Sequence, residues 1–224
     1  MIAYFVADVH LGRKSDGRFL RWLHKIRGEV DHLFLVGDIF DFYFEYHIPE
    51  AYNEVMHALT QLMQDGTKVY YVLGNHEMYP WERLKSMGLW VGDHIAVDVG
   101  THKVFVAHNL EGLSWGQKFI LRSKAGHLLS SIVPRATLFE AGLLWAKTSC
   151  SWDRLRNRRR MWNKIEANWA ILRNHYDVVV VGHYHTPCVK EKDGRKLIIL
   201  PVWTKSWGYL KYEDGEWRLI HSRR

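Results

Sequence analysis

Hydrophobic positions along the chain form short, nearly continuous runs separated by amphipathic stretches. Five runs of four to six residues are rich in β-branched and aromatic side chains: residues 2–7, 33–36, 69–73, 104–107 and 178–181. Continuous apolar character at this length predicts strands that are buried on both faces. Between the early runs, residues 19–26 and about 49–64 show helical spacing, and Gly28 and Gly66 follow as helix ends. Strands alternating with helices indicate an α/β protein with a parallel or mixed sheet.

The later part of the chain has a different pattern. Residues 96–99 and 104–106 flank Gly100-Thr101, and two Asp-Gly turns, at 193–194 and 214–215, predict further hairpins. Residues 115–174 are helical in character, with breaks expected near Pro134 and around 149–151. We therefore predict a core made of residues 1–114 and 176–224, interrupted by a helical insertion over 115–175.

The positive charge of the chain is concentrated in this insertion. The 224 residues include 31 Lys and Arg against 24 Asp and Glu, a net charge of +7. Residues 115–175 carry 12 basic and 3 acidic residues, a net charge of +9, together with five of the 11 Trp, whereas the rest has a net charge of −2. A nearly neutral body and a basic insertion predict different partners for the two parts.

Composition excludes several classes of protein. A chain with 47% hydrophobic and 25% charged residues is typical of a folded globular protein, and no apolar run reaches the roughly 18 residues of a membrane span. The first apolar run meets Asp8 too early for a signal peptide. Two cysteines, Cys150 and Cys188, are too few for a disulfide framework. These features predict a cytoplasmic protein.

Residues of metal-ligating type directly follow each of the five buried runs. In chain order they are Asp8-Val9-His10, Gly37-Asp38 with Asp41, Gly74-Asn75-His76-Glu77, His108, and Gly182-His183-Tyr184-His185. A single histidine after a strand is usually structural. Because sites in α/β sheets form at the carboxyl ends of strands, five such segments in order predict one shared site.

The residue types of this site predict a pair of metals. Mixed oxygen and imidazole ligands without a nearby thiolate suit Mn²⁺, Fe or Zn²⁺ better than Ca²⁺. Two metals about 3.5–4 Å apart act on both oxygens of an in-line displacement at phosphorus, and they need a bridging carboxylate. Asp38 is the candidate bridge, because Gly37 allows a sharp turn before it. Asp8 and His10 share a strand face and could hold one metal, while His183 and His185 could divide between the two.

The five segments resemble the motifs of calcineurin-like metallophosphoesterases, over residues 1–115 and 176–204. The resemblance implies a four-layer αββα sandwich with a helical cap, and attack on phosphorus by a hydroxide that bridges two metals. It implies that Asp8, His10, Asp38 and His185 hold one metal and that Asp38, Asn75, His108 and His183 hold the other. It also implies that His76 stabilises charge or protonates the leaving oxygen, and that Asp41 orients a ligand histidine.

Finer features are similar to the UDP-2,3-diacylglucosamine hydrolases of the lipid A pathway. They are the aromatic continuation of the second motif over 39–44, Pro187, the 200–203 segment and the helical insertion. The likeness implies Mn²⁺-dependent cleavage of this nucleotide-sugar lipid to UMP and 2,3-diacylglucosamine 1-phosphate, with the insertion capping the acyl chains. That branch usually has His-Gly-Asp and Leu-Gly-Asp-Trp where this chain has His108-Asn109-Leu110 and Leu200-Pro201-Val202-Trp203, which leaves the substrate open.

Cationic residues near the motifs are candidate substrate contacts. We expect Arg13 and Lys14, after the first motif, and Lys118, Arg122 and Lys124, early in the insertion, to meet substrate phosphates. Basic, apolar and Trp-containing helices suit a membrane surface or an anionic amphiphile, with packing against the core as the alternative. The likeness and the basic insertion together predict peripheral association with the cytoplasmic face of the inner membrane.

Two other functions remain open on the sequence. The five arginines within 154–160 form either a solvated face or a contact for lipid headgroups or a nucleic-acid backbone. The first alternative is therefore a phosphodiesterase that acts on a nucleotide or nucleic acid. The second is a non-catalytic metal-holding scaffold, which would have no need of the imidazole of His76. The oligomeric state is not predicted.

Overall fold

The computed structural model describes residues 1–12, 17–130, 132–155 and 158–221. The first half forms β1 (Ile2–Val6), α1 (Arg18–Lys25), β2 (His32–Val36), α2 (Glu50–Gln64), β3 (Lys68–Val72), α3 (Glu82–Ser86), β4 (Trp90–Gly92), β5 (His94–Val99) and β6 (His102–Ala107). The second half forms α4 (Trp115–Arg122), α5 (Lys124–Ser130), α6 (Arg135–Leu155), α7 (Arg158–Leu172), β7 (Val178–Val181), β8 (Cys188–Lys192), β9 (Arg195–Ile199), α8 (Trp203–Ser206), β10 (Tyr209–Glu213) and β11 (Glu216–Ile220).

Two mixed sheets contain these strands. The first has the order β11-β10-β1-β2-β3-β4, in which β1 to β4 run parallel and the C-terminal hairpin adds antiparallel to β1. The second has the order β5-β6-β7-β9-β8, in which β6, β7 and β9 are parallel. The five buried runs are thus the parallel strands β1, β2, β3, β6 and β7, as their continuous apolar character predicted. Strand β4 and helix α3 were not predicted from the sequence.

Alternating residues of these strands build three apolar layers. Phe5, Phe34 and Val36 of the first sheet pack against Val178 and Ile198 of the second. The opposite face of the first sheet packs on α1 and α2, with Phe19 and Leu59 among the buried contacts. The opposite face of the second sheet packs on Ile165 and Trp169 of α7. The predicted αββα sandwich of four layers is therefore confirmed.

The helices between β6 and β7 divide into two groups by what they contact. Phe139 on α6 joins the apolar cluster that includes α1 and α2, with its ring centroid 6.1 Å from that of Phe42, whereas α7 supplies the outer layer of the second sheet. The break predicted near Pro134 is confirmed, since α5 ends at Ser130 and α6 begins at Arg135. The break predicted around 149–151 is wrong: α6 continues to Leu155, and no Gly or Pro interrupts it after Gly142.

The three predicted hairpins are confirmed as β5–β6, β8–β9 and β10–β11. In both Asp-Gly turns the two central residues have positive φ: 53° and 72° at Asp193-Gly194, and 51° and 87° at Asp214-Gly215. Positive φ at both central residues is the geometry of a type I′ turn, which matches the twist of the flanking strands and favours Asp-Gly. Across the described part of the chain, no helix combines the length and apolar character needed to cross a bilayer.

Candidate metal centre

Five parallel strands, three from one sheet and two from the other, end at one edge of the sandwich. The loop after β1 bonds to the loop after β2, because Asp8 N donates to Gly37 O at 3.1 Å. The loop after β7 bonds to the end of β6, because Gly182 N donates to His108 O at 3.1 Å. His183 N then donates to Asp8 Oδ2 at 2.9 Å, which joins the two sheets. The motif residues of both sheets therefore lie together, as predicted.

The first candidate metal site consists of Asp8, His10 and His185, whose ligand atoms all lie within 4.8 Å of one another. His185 Nε2 lies 3.2 Å, and His10 Nε2 3.9 Å, from Asp8 Oδ1. Asp8 is fully buried. His10 Nε2 is also buried, and it makes no hydrogen bond to the described residues. A buried ring nitrogen without a hydrogen-bond partner, facing a carboxylate, fits a metal ligand.

The second candidate site consists of Asp38, His108 and His183, again with ligand atoms within 4.8 Å. His108 Nε2 lies 3.2 Å from Asp38 Oδ2, and its Nδ1 lies 2.9 Å from Val36 O. A backbone carbonyl at Nδ1 holds the proton there, so that Nε2 is the nitrogen directed at the site. Asn75 lies beside this group, since its Nδ2 lies 3.2 Å from His183 Nδ1.

The charges of the buried carboxylates and imidazoles at this centre depend on one another. Burial by itself would raise the pKa of the Asp38 carboxyl, but His108 and His76 beside it lower that pKa well below its ordinary value. Burial lowers the pKa of His108, whereas the Asp38 carboxylate raises it more, to about 10. Burial also lowers the pKa of His10. The buried carboxylates thus carry negative charge that imidazoles, or a divalent cation, can balance.

Backbone conformation singles out the same residues. Asp8, His10, Asp38, His183 and His185 have positive φ values of 52°, 47°, 51°, 63° and 53°. This left-handed region is unfavourable for residues with a Cβ atom, and such strain clusters at functional sites. Five of the seven predicted ligands therefore have backbones that the surrounding structure holds in place.

Comparison with known families agrees with this geometry. The family model described as calcineurin-like phosphoesterase matches residues 1–187 of the 224. The chain belongs to the calcineurin-like phosphoesterase family. The chemistry of this family is the hydrolysis of phosphoester bonds, and it implies divalent metals at the two clusters described above.

Relatives of this phosphoesterase include several proteins named UDP-2,3-diacylglucosamine hydrolase. The one from Blochmanniella pennsylvanica is 24% identical over 92% of this chain and 89% of its own length. Those from Porphyromonas gingivalis and Yersinia enterocolitica are 27% and 28% identical over 44% and 48% of this chain. These two matches span only 37% and 48% of the relatives' own lengths.

Solved structures share the fold of this phosphoesterase. A novel archaeal phosphodiesterase superimposes with a TM-score of 0.51 and 17% identity, covering 99% of this chain and 100% of its own. A single mutant of Vps29 from Entamoeba histolytica superimposes with a TM-score of 0.51 and 13% identity over the full length of both chains.

His76 lies beside a residue of each candidate metal cluster, Asp38 and His10. Its side chain is buried, its Nε2 lies 3.9 Å from Asp38 Oδ2, and its backbone N donates to Asp38 Oδ1 at 3.0 Å. Its ring centroid is 5.1 Å from that of His10 and 5.9 Å from that of Trp145 on α6. Asp41 Oδ1 lies 3.9 Å from Nδ1 of His10, whereas the other ring nitrogen of His10, Nε2, faces Asp8.

The predicted substrate-binding cations occupy different surroundings. Lys118 lines a cavity of about 460 Å³ that also borders Asn75 and His108. Lys124 is exposed on α5. Arg122 also borders the cavity, but its guanidinium is bonded to protein groups rather than open to a ligand. Arg13 and Lys14 lie outside the described residues.

Two residues of the site were given no role by the sequence. Glu77 is fully buried: its Oε2 accepts from Gly74 N at 2.6 Å, and its Oε1 accepts from Tyr71 at 3.1 Å. Burial and the nearby Asp38 carboxylate raise the pKa of Glu77 to about 7. Asn109 donates to Asn75 Oδ1 at 3.3 Å. The role of Glu77 could have been predicted from the sequence. An acidic residue at the end of a loop of predicted ligands is expected to accept hydrogen bonds within that loop.

Replacing Gly37 by alanine is expected to damage the second site. Gly37 has a φ of 74°, and a Cβ at this position would lie 2.3 Å from His108 Nδ1. We expect Gly37→Ala to lower the free energy of unfolding by about 1–3 kcal/mol and to weaken metal binding. Thermal denaturation and metal analysis measure both effects. Gly28→Ala, with a similar φ of 77° and no atom within 4 Å of the new Cβ, is the control for backbone strain alone; equal metal binding by both variants would contradict the contact with His108.

Proposed function

We propose that the protein hydrolyses the pyrophosphate of UDP-2,3-diacylglucosamine to UMP and 2,3-diacylglucosamine 1-phosphate. The observation that carries the proposal is the meeting of the two ligand clusters at one edge of the sandwich. The choice of substrate is supported by the match to the Blochmanniella pennsylvanica hydrolase, which extends over nearly the whole of both chains.

The proposed ligand sets share one carboxylate. Asp8, His10, Asp38 and His185 would hold one metal, and Asp38, Asn75, His108 and His183 the other. The pair, with Mn²⁺ as the proposed metal, would supply water activation and neutralisation of phosphate charge. Asp38 suits the shared position because its carboxylate lies between His108 and His76 and stays ionised. Asp41 would keep His10 oriented through Nδ1.

His76 is proposed to act on the phosphate itself. Its ring lies beside Asp38 and His10 but belongs to neither ligand cluster, so its nitrogen can face a bound phosphate. From that position an imidazolium stabilises negative charge on the phosphate or donates a proton to the leaving oxygen.

Helices α4 to α6 are proposed to cover the acyl chains of the substrate. Helix α6 approaches the site closely, since a Cβ on Gly142 would lie 2.3 Å from the ring of Phe42. Apolar side chains on α4 to α6 and their connections remain exposed: Phe119, Ile120, Leu128, Ile132, Val133 and Leu144. Together with the basic charge of this region, they support binding of an anionic amphiphile and peripheral contact with the inner membrane from the cytoplasm.

The proposal is tested with purified protein loaded with Mn²⁺ and UDP-2,3-diacylglucosamine presented in detergent micelles. We expect release of UMP, and loss of that release after treatment with a chelator. Bis(p-nitrophenyl) phosphate serves as a substrate with no lipid or nucleoside. Turnover of this compound without UMP release would contradict the lipid substrate while retaining the phosphodiesterase chemistry.

The alternative substrate class is a nucleotide or nucleic acid. Arg159 and Arg160 on α7 are exposed, as binding to a phosphate backbone requires, whereas Arg156 lies outside the described residues. Binding of single- or double-stranded DNA that weakens steeply with salt would favour this alternative. Binding too weak to detect at low salt would contradict it.

A further inference from the structure

Arg122, at the end of α4, bonds to both ends of the loop that carries Asn75 and His76. Its guanidinium donates through Nη2 to Gly74 O and through Nη1 to Glu77 O. Its Nε donates to Asp93 Oδ1 at 3.0 Å, and the side chain is only 9% exposed. The two carbonyls that it holds directly flank the Asn75-His76 pair.

Neighbouring contacts fix the guanidinium in this position. It lies over the ring of Trp81, 5.4 Å from the ring centroid, which restricts its rotation. Tyr79 N donates to the carbonyl of Leu121, the residue before Arg122, at 2.8 Å. Leu121 is itself buried. The end of α4 is therefore bonded to the chain beyond the loop, and Arg122 reaches from that anchor back across the loop.

Other bonds hold the loop from within and from the opposite side. The Glu77 carboxylate accepts from Gly74 N at 2.6 Å, which closes the turn. Tyr43 N donates to His76 O at 2.9 Å. Among the described side chains, that of Arg122 joins the carbonyls of Gly74 and Glu77. Without it, only the bonds named above would fix the distance between these two carbonyls.

We propose that Arg122 is a positioning residue that sets the placement of Asn75 and His76 relative to Asp38. The inference rests on the roles proposed above for Asn75 as a metal ligand and His76 as the phosphate-facing imidazole. Residues that orient metal ligands typically contribute 10–100-fold to metal affinity or activity, although they touch neither metal nor substrate. Geometry at such sites must hold to within about 0.5 Å.

The alternative role for Arg122 is direct contact with a substrate phosphate, which its place beside the cavity would permit. The bonds argue against it, because Nε and both terminal nitrogens already donate to protein oxygens and Asp93 offsets the charge. Lysine keeps the charge but lacks the planar fork that reaches two carbonyls at once. The two roles therefore predict different outcomes for the Lys variant.

The test compares Arg122→Ala and Arg122→Lys with Arg27→Ala and Arg27→Lys as matched controls. Arg27 also pairs with a carboxylate, that of Asp65, but lies on the surface beyond α1. Binding of Mn²⁺ to the metal-free protein is followed by calorimetry, and turnover is followed with bis(p-nitrophenyl) phosphate. For Arg122→Ala we expect the Mn²⁺ site proposed to include Asn75 to lose 10–100-fold in affinity and kcat to fall 10–100-fold, with KM within about twofold.

Arg122→Lys separates the outcomes and guards against loss of folding in the Ala variant. We expect it to show the same pattern at about 3–10-fold, with the other Mn²⁺ site unchanged. Two unaltered Mn²⁺ sites with unaltered kcat in the Lys variant would overturn the inference. A raised KM with wild-type metal binding and kcat would also overturn it, in favour of a phosphate contact. Failure of the wild-type protein to bind two Mn²⁺ would instead contradict the proposed ligand sets.

Discussion

Asp38→Asn is expected to lower turnover of a phosphodiester by about 10³-fold or more and to reduce bound Mn²⁺ below two per chain. Asp38 is the carboxylate proposed to contact both metals, and its Oδ2 lies 3.2 Å from His108 and 3.9 Å from His76. An amide has the same shape but no charge to hold two cations. Loss of several kcal/mol of charge stabilisation corresponds to this decrease, at about 1.4 kcal/mol for each factor of ten.

The control for this prediction is Asp98→Asn, which removes the same charge from an exposed position on strand β5. Rates are measured with bis(p-nitrophenyl) phosphate at saturating Mn²⁺, and bound metal is measured by elemental analysis after dialysis. If Asp38→Asn retained two metals and more than a tenth of wild-type turnover, Asp38 would not be the shared ligand.

His76→Ala is expected to lower kcat by about 10²–10⁴-fold while leaving two metals bound. This decrease in kcat is the usual contribution of a positioned general acid or base. Both metals are expected to remain bound because His76 belongs to neither ligand cluster. The backbone N of residue 76 would still donate to Asp38 Oδ1, so the carboxylate keeps that bond in the variant. The measurement is kcat and KM together with metal content.

His57→Ala, at an exposed position on α2, is the matched control and should behave as wild type. Turnover of His76→Ala within threefold of wild type would remove His76 from the chemistry. Absence of turnover by the wild-type protein itself, with metals bound, would favour the metal-holding scaffold that the sequence left open.

Prediction from the sequence succeeded where one local rule governs the structure. The central strands were predictable because both of their faces are buried, so that each reads as an unbroken apolar run. The clustering of Asp8, Asp38 and His108 was predictable because each directly follows such a strand. The Asp-Gly hairpins were predictable because few dipeptides adopt positive φ at two successive positions.

Features that depend on distant contacts were not predictable. Arg122 was predicted as a phosphate ligand from its charge and its closeness in sequence to His108, but its partners Gly74, Glu77 and Asp93 come from other segments. The insertion was treated as one unit, although α7 forms the outer layer of the second sheet. A helical pattern shows which residues share a face, and tertiary packing decides what that face covers.

The division of the ligands between the two sheets links metal binding to the stability of the fold. Asp8, His10 and Asp38 follow strands of one sheet, whereas His108, His183 and His185 follow strands of the other. An ion held by either cluster is therefore a cross-link between two halves that share an apolar core. Its binding free energy adds to the cohesion of the native sandwich, because the unfolded chain offers no preformed site. The supply of metal ions would then govern the lifetime of the folded protein as well as its proposed turnover.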